Sequence, residues 1–255
     1  MTEPLNTQVR AFWEQGPCGT DERITGGLDK LSHAWFEQVE SNRYAKEPFI
    51  HSVAQFTRHR GKKILEIGVG AGTDHLQWAR AGCECYGVDL TDAAIQTTQA
   101  RLAHYGFSST LQRVDAETLP FETDSFDLVW SWGVIHHAEH PDRILAEIHR
   151  ILKPGGEFRG MFYKRRSLSV FAEWVKHALM AGRPWRSFAD VLWHHFESVG
   201  TKAYTEAELQ SLFAAFSEVE IEIHMTPYDL QHWPKWIRPW FPRHWGMFAA
   251  IRAKK

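Results

Sequence analysis

Lys63-Ile64-Leu65-Glu66-Ile67-Gly68-Val69-Gly70-Ala71-Gly72 is a short apolar, β-branched run that stops in three alternating glycines. Such a run reads as a buried strand, and the glycines as a tight turn whose backbone can take positive φ and let a ligand approach closely. Residues 73–81 then read as a helix. The same alternation continues downstream. Residues 83–88 form a second strand ending at Asp89, residues 92–105 a helix with Thr91 as N-cap, and residues 110–114 a third strand ending at Asp115. Residues 126–131 are a fourth strand, 142–152 a helix stopped by Lys153-Pro154-Gly155-Gly156, and 157–163 a fifth strand. Strands alternating with helices of this length give an α/β fold, a doubly wound and mostly parallel sheet covered on both faces.

Outside this run the texture changes. Residues 1–60 read as a helical cap that includes one helix over 28–44. Residues 61–163 are the core, and 164–204 a helical insertion after strand five. Residues 205–255 complete the sheet with the alternating strand 219–223 and a last strand over 245–251, for seven strands in all, with a Trp-rich loop at 227–244 between them.

Composition narrows the function. Lys plus Arg is 29 against 31 Asp plus Glu, a formal charge of −2, which argues against a nucleic-acid partner bound through phosphates. Three cysteines, Cys18, Cys83 and Cys85, are too few and wrongly spaced for a disulfide framework or a zinc site. His194-His195 lacks a third ligand at helical spacing, so no metal is expected. The opening residues carry no basic stretch followed by an apolar run, and no apolar stretch is long enough to span a membrane. The expectation is a cytoplasmic protein.

The glycine turn has the wrong spacing for a dinucleotide fingerprint, whose third glycine would fall at Thr73, and no Gly-Lys-Ser/Thr follows as a phosphate loop requires. Asp89 lies where a strand-end carboxylate can accept both hydroxyls of a ribose. Asp115 can take the exocyclic amine of adenine while Ala116 offers its backbone N–H. Together they outline an unphosphorylated adenosine, although a strand-end Asp also serves as a cap or turn former.

With these blocks in order, the chain resembles the class I S-adenosylmethionine-dependent methyltransferases, in the type 11 small-molecule branch. The resemblance spans roughly residues 60–163. It rests on residues 64–72, Gly87-Val88-Asp89, Asp115-Ala116-Glu117-Thr118-Leu119-Pro120-Phe121, Ser125-Phe126-Asp127-Leu128-Val129, Ile135-His136-His137 and Leu152-Lys153-Pro154-Gly155-Gly156. It implies a Rossmann-like sheet and S-adenosyl-L-methionine as cofactor. Glu66, Gly68 and Gly70 would line the methionine part, Asp89 the ribose, and Asp115 with Ala116 the adenine. Ser131 and Trp132 would floor the site beside the sulfonium. Val69, Gly72, Thr73, Leu90 and Glu117 complete the implied contact set, and Tyr44 resembles a lid tyrosine, or else is a core aromatic.

Three subclasses find no support at the end of strand four. Ser131-Trp132-Gly133-Val134 is not the Asn/Asp-Pro-Pro-aromatic of base N-methylation, no cysteine lies nearby for cytosine attack, and no carboxylate cluster marks a metal-assisted site. His136 and His137 are the candidate bases for a hydroxyl or amine acceptor, or else structural. Lys164-Arg165-Arg166 offers a place for an anionic group, or is a solvated turn. Seven of the twelve Trp lie beyond residue 165. They suit the walls of a pocket for a planar or apolar small molecule, or packing of the insertion, or contact with a membrane surface, the last opposed by Pro234, Pro239 and Pro242. The expected activity is in-line methyl transfer to oxygen, nitrogen or carbon of an aromatic or lipophilic acceptor. The alternatives are a non-catalytic cofactor-binding protein of this fold and a nicotinamide-dependent oxidoreductase.

Overall fold

The computed structural model describes residues 3–231 and 233–255. Four helices precede the sheet: α1 (Leu5–Trp13), α2 (Glu22–Thr25), α3 (His33–Lys46) and α4 (Ile50–Ala54). The core follows as β1 (Lys63–Ile67), α5 (Thr73–Arg80), β2 (Glu84–Asp89), α6 (Asp92–His104), β3 (Thr110–Arg113), β4 (Phe126–Trp132), α7 (Pro141–Ile151) and β5 (Leu152–Tyr163). After it come α8 (Leu168–Trp174), α9 (Phe188–His195), α10 (Glu206–Leu212), β6 (Ser217–His224), α11 (Pro227–Leu230) and β7 (Phe248–Lys254).

The strands make one seven-stranded sheet in the order β3-β2-β1-β4-β5-β7-β6. β1 to β5 run parallel, and β7 pairs antiparallel with both β5 and β6. The order reverses at β1, so the crevice beyond the C-terminal ends of β1, β2 and β4 is where this topology leaves room for a ligand. Helices cover both faces. On one side Trp78, Trp130 and Phe56 pack with α4 and α5, and on the other Ile144, Ile148, Phe158 and Phe213 pack under α7 and α10. Leu65, Leu128 and Val129 in the central strands are fully buried, as continuous apolar strands between two helical layers must be.

The first helical segment differs from the expected span over 28–44. Leu28 is exposed, Leu31 takes φ 65°, and the helix starts only at His33, where the Ser32 side chain accepts from Trp35 N–H. The positive φ at Leu31 uncouples Leu28 from the apolar stripe that follows. The Lys153–Gly156 stop is absorbed into β5, which begins at Leu152 with an irregular register against Phe126 and Leu128. Trp245 lies in a short 3-10 turn, so the last strand starts later than expected, at Phe248, and runs to Lys254. Among the described residues no helix is long and apolar enough to cross a membrane.

Candidate active site

A cavity of about 830 Å³ opens beyond the strand ends and runs under α1 and α3. Its first half is made by the glycine turn and the ends of β2 and β3. Gly68 has φ 81°, and a Cβ there would meet Val134 at 2.2 Å, so only glycine fits. Gly70 (φ 53°) has nothing within 4 Å of a would-be Cβ, which leaves its backbone open to the cavity. The Asp89 carboxylate is fixed by Thr91 N–H (2.9 Å), the Thr91 hydroxyl (2.8 Å) and Gly70 N–H (3.2 Å). Burial raises its pKa, and those three donors work against the rise.

Glu66 and His75 sit behind the turn. The Ser109 hydroxyl donates to Cys85 C=O at 2.6 Å, so it accepts from His75 Nε2–H at 2.9 Å, and Nδ1 is left to accept from Glu66 at 3.0 Å. Glu66 is therefore the protonated partner. Burial, then Asp74 and Asp89, holds its carboxyl well above the usual range, and burial pushes His75 down to about 4. The pair is a neutral hydrogen bond.

The end of the cavity at Asp89 and Asp115 is covered by α1. Asn6 donates to Asp115 Oδ2 (2.9 Å) and Glu117 Oε1 (2.7 Å) and accepts from Glu139 N–H (2.7 Å). Glu14 accepts from the N–H groups of Asp92 and Ala93 (3.2 and 2.9 Å), placing an anion at the start of α6 where the helix dipole favours it. α1 also reaches the insertion, because Gly200 (φ 87°) lies so near Leu5 that a Cβ would approach it to 2.5 Å.

The second half of the cavity is walled by Trp13, Trp132, Tyr163, Phe196, Tyr228 and Phe248, with Cys18, Arg43, Glu47, His137 and Glu197 among them. Trp132 stacks on Trp130 at 5.0 Å and donates to Glu47 at 2.6 Å. Burial raises the Glu47 pKa despite Arg43 and that hydrogen bond. Arg43 pairs with Asp74 in the first turn of α5 through two bonds of 3.2 and 2.6 Å. Cys18 lies on the same wall and is exposed. His137 Nε2 lies 3.3 Å from Glu197 Oε2, which also accepts from the Tyr163 hydroxyl at 3.0 Å.

Of the residues singled out from sequence, Glu66, Gly68, Val69, Gly70, Thr73, Asp89, Leu90, Asp115, Ala116, Trp132 and His137 all line this one cavity. Others lie behind its wall. Ser131 donates to Ile67 C=O at 3.1 Å, Gly72 packs on Thr98, and Glu117 takes Asn6 and His140 N–H. Tyr44 also stands outside the lining: its hydroxyl donates to Asp74 at 3.0 Å and its ring rests on His51, while its neighbour Arg43 faces the cavity. His136 is fully buried with its ring 4.0 Å from that of Tyr163, and burial first, then His137, drives its pKa well below the ordinary value. In the basic corner Lys164 pairs with Glu206 and Arg165 with Glu208, while Arg166 is exposed. Sequence reading did not find Glu47, Tyr163, Cys18 or Glu197. Asp74 carried the one available signal, an acid in the first turn of the helix after the glycines.

Residues 65–159 match the methyltransferase domain family. Over 141 residues the chain is 36% identical to phthiotriol/phenolphthiotriol dimycocerosates methyltransferase 1 of Mycobacterium ulcerans, covering 54% of this chain and 50% of that protein. Over 134 residues it is 26% identical to the ubiquinone biosynthesis O-methyltransferase of Pseudomonas syringae pv. tomato, covering 51% and 58%. The chain thus spans about half the length of the curated relatives it matches. The crystal structure of the (4+2)-cyclase SpnF superposes with a TM-score of 0.62 at 17% identity, over 100% of this chain and 97% of that one, a likeness of fold.

Proposed function

The chain belongs to the class I S-adenosylmethionine-dependent methyltransferases, type 11, and on that footing we propose that it methylates a small aromatic or lipophilic acceptor in the second half of the cavity. The observation that carries this reading is the continuity of the space: one cavity runs from Asp89 and Asp115 to a chamber walled by Trp13, Trp132, Tyr163 and Phe196. S-adenosylmethionine supplies a methyl group on a sulfonium, whose sulfur leaves as a neutral thioether. The chain's part is to hold the cofactor, orient the acceptor, exclude water and dispose of a proton.

The residues present fit that cofactor. Gly70 leaves open space over its backbone that a side chain would fill, and the neutral Glu66 places no unpaired charge beneath the methionine end. Asp89 has lone pairs left for two ribose hydroxyls after its three donors, and Asp115 keeps one for the adenine amine beside Asn6. α1 and the 164–204 segment act as covers over the two halves. The aromatic chamber has room for a planar group and carries Glu47 and Glu197 beside Arg43 and Lys46. The O-methylation in the name of the Pseudomonas relative agrees with oxygen as an acceptor atom. A role in small-molecule metabolism inside the cell follows from this reading.

Calorimetry with S-adenosylhomocysteine, then release of that product from S-adenosylmethionine over a panel of phenols, alcohols and amines, tests the proposal. Binding plus acceptor-dependent release is the expected result. Binding without release on any acceptor would leave a cofactor-binding protein of this fold, and binding of a nicotinamide dinucleotide instead would overturn the reading altogether.

A further inference from the structure

We propose that Glu197 is the group that receives the acceptor's proton, and hence that the acceptor atom methylated here carries an O–H or N–H. This deepens the methyltransferase reading and rests on it. Glu197 comes from the segment after α9, far in sequence from the glycine turn, yet it lines the same cavity as Gly70 and Trp132.

Its carboxylate is held from one side only. Thr201 and Ser198 both place hydroxyl oxygens 3.0 Å from His137 Nδ1, but the Thr201 hydroxyl already donates to Ser198 C=O at 2.7 Å. These two hydroxyls hold the His137 ring from its Nδ1 side, and Nε2 lies 3.3 Å from Glu197 Oε2. The Tyr163 hydroxyl donates to the same oxygen at 3.0 Å, and burial beside Glu197 keeps that phenol protonated. Oε2 is thus occupied twice. Among the described residues no donor reaches Oε1, and no Lys or Arg pairs with Glu197, so Oε1 is the oxygen turned to the cavity.

Glu197 also has φ 53°, in the left-handed region that a non-glycine residue occupies at a cost.

An ionised carboxylate only accepts hydrogen bonds, so Oε1 selects a neutral hydroxyl or amine and repels a pre-formed phenolate. As the acceptor's oxygen or nitrogen forms its bond to the methyl carbon and the sulfur–carbon bond breaks, the proton on that acceptor atom passes to Oε1. Glu197 is the catalytic residue in this step. His137 and Tyr163 are positioning residues that hold Oε2.

The test uses 4-nitrophenol as probe, titrated into the full chain loaded with S-adenosylhomocysteine and followed by its absorbance across pH. The wild type is expected to bind the neutral phenol and to lose it as the probe ionises. Glu197→Gln is expected to bind the neutral form about tenfold or more weakly, the loss of one hydrogen bond to a charged group, and to flatten the pH profile. Glu197→Gly serves as a second variant. It removes the carboxylate and relieves the positive φ, so it should melt at or above the wild-type temperature while losing the probe equally. Equal binding of the neutral phenol by wild type and Glu197→Gln, or no binding by the wild type, overturns the assignment. Zinc alone binding the wild type but not Glu197→Gln also overturns it, since His136, His137 and Glu197 bring ligand atoms within 4.8 Å of one another and the carboxylate would then be a metal ligand. Failure of S-adenosylhomocysteine to bind the wild type is a separate result, and it strikes the methyltransferase reading rather than this one.

Discussion

At the glycine-turn end of the cavity, three carboxyl groups stand at or just beyond the C-terminus of a parallel strand: Glu66 in β1, Asp89 at the end of β2, Asp115 just past β3. At the chamber end, Glu47 follows α3, His137 follows β4, Tyr163 ends β5 and Glu197 follows α9, four segments with no common motif. The first set is positioned by sheet register, which the topology fixes. The second is positioned by side chains meeting across loops, so it can change without disturbing the sheet. A fold that keeps its cofactor end rigid and assembles its acceptor end from connections can serve many acceptors.

The sharpest way to break this comparison is at Asp89. Asp89→Ala should lower S-adenosylhomocysteine affinity by roughly two orders of magnitude or more, two hydrogen bonds to a charged group being lost together, while Trp13→Ala in the chamber wall leaves that affinity within about twofold. Calorimetry on both variants decides it. Comparable losses would mean that the two halves do not act separately.

Acid should affect both ends at once. Burial pushes His75, behind the glycine turn, and His59, under β1, down to about 4, and holds His136, behind the chamber, well below its ordinary value. Below an unperturbed pKa near 6.5 the unfolded chain takes up protons that these folded histidines refuse. Stability is therefore complete above that pH and falls as pH drops toward 4, by roughly 1.4 kcal/mol per unit for each histidine. Melting temperatures at pH 7.5, 6 and 5, chosen as roughly spanning that window, test the sign. A flat profile would show that these imidazoles are protonated in the fold.

The smallest effect sharpens the boundary. Tyr44→Phe removes one hydrogen bond to Asp74, which keeps Arg43 and the Trp130 indole N–H, and should cost roughly 1.5 kcal/mol of stability with no change in cofactor affinity. Chemical denaturation gives the first number and calorimetry the second. A loss of cofactor affinity would restore Tyr44 to the role of a lid.

The difference between the two ends also explains what could be read in the sequence. The seven-stranded sheet and the cavity-lining positions Gly68, Asp89 and Asp115 were legible, because each lies within a few residues of a strand end whose apolar pattern announces it. Glu197 was not. Nothing in Phe196-Glu197-Ser198 marks a left-handed residue, and its partner His137 is sixty positions away. His136 and His137 read alike as neighbours, and only the 3-10 turn that carries them turns one to the cavity and the other into the core. The span over 28–44 misled because an apolar spacing was counted across Leu31, where the chain is not helical.

The contact between Leu5 and Gly200 has one more consequence. Asp115 holds Asn6, the neighbour of Leu5, and Leu5 rests on the loop that ends three residues after Glu197. One helix turn and one glycine thus join the Asp115 end of the cavity to the loop that carries Glu197. Any coupling between ligands at the two ends runs equally in both directions. The factor by which S-adenosylhomocysteine tightens a phenol in the chamber must equal the factor by which the phenol tightens S-adenosylhomocysteine.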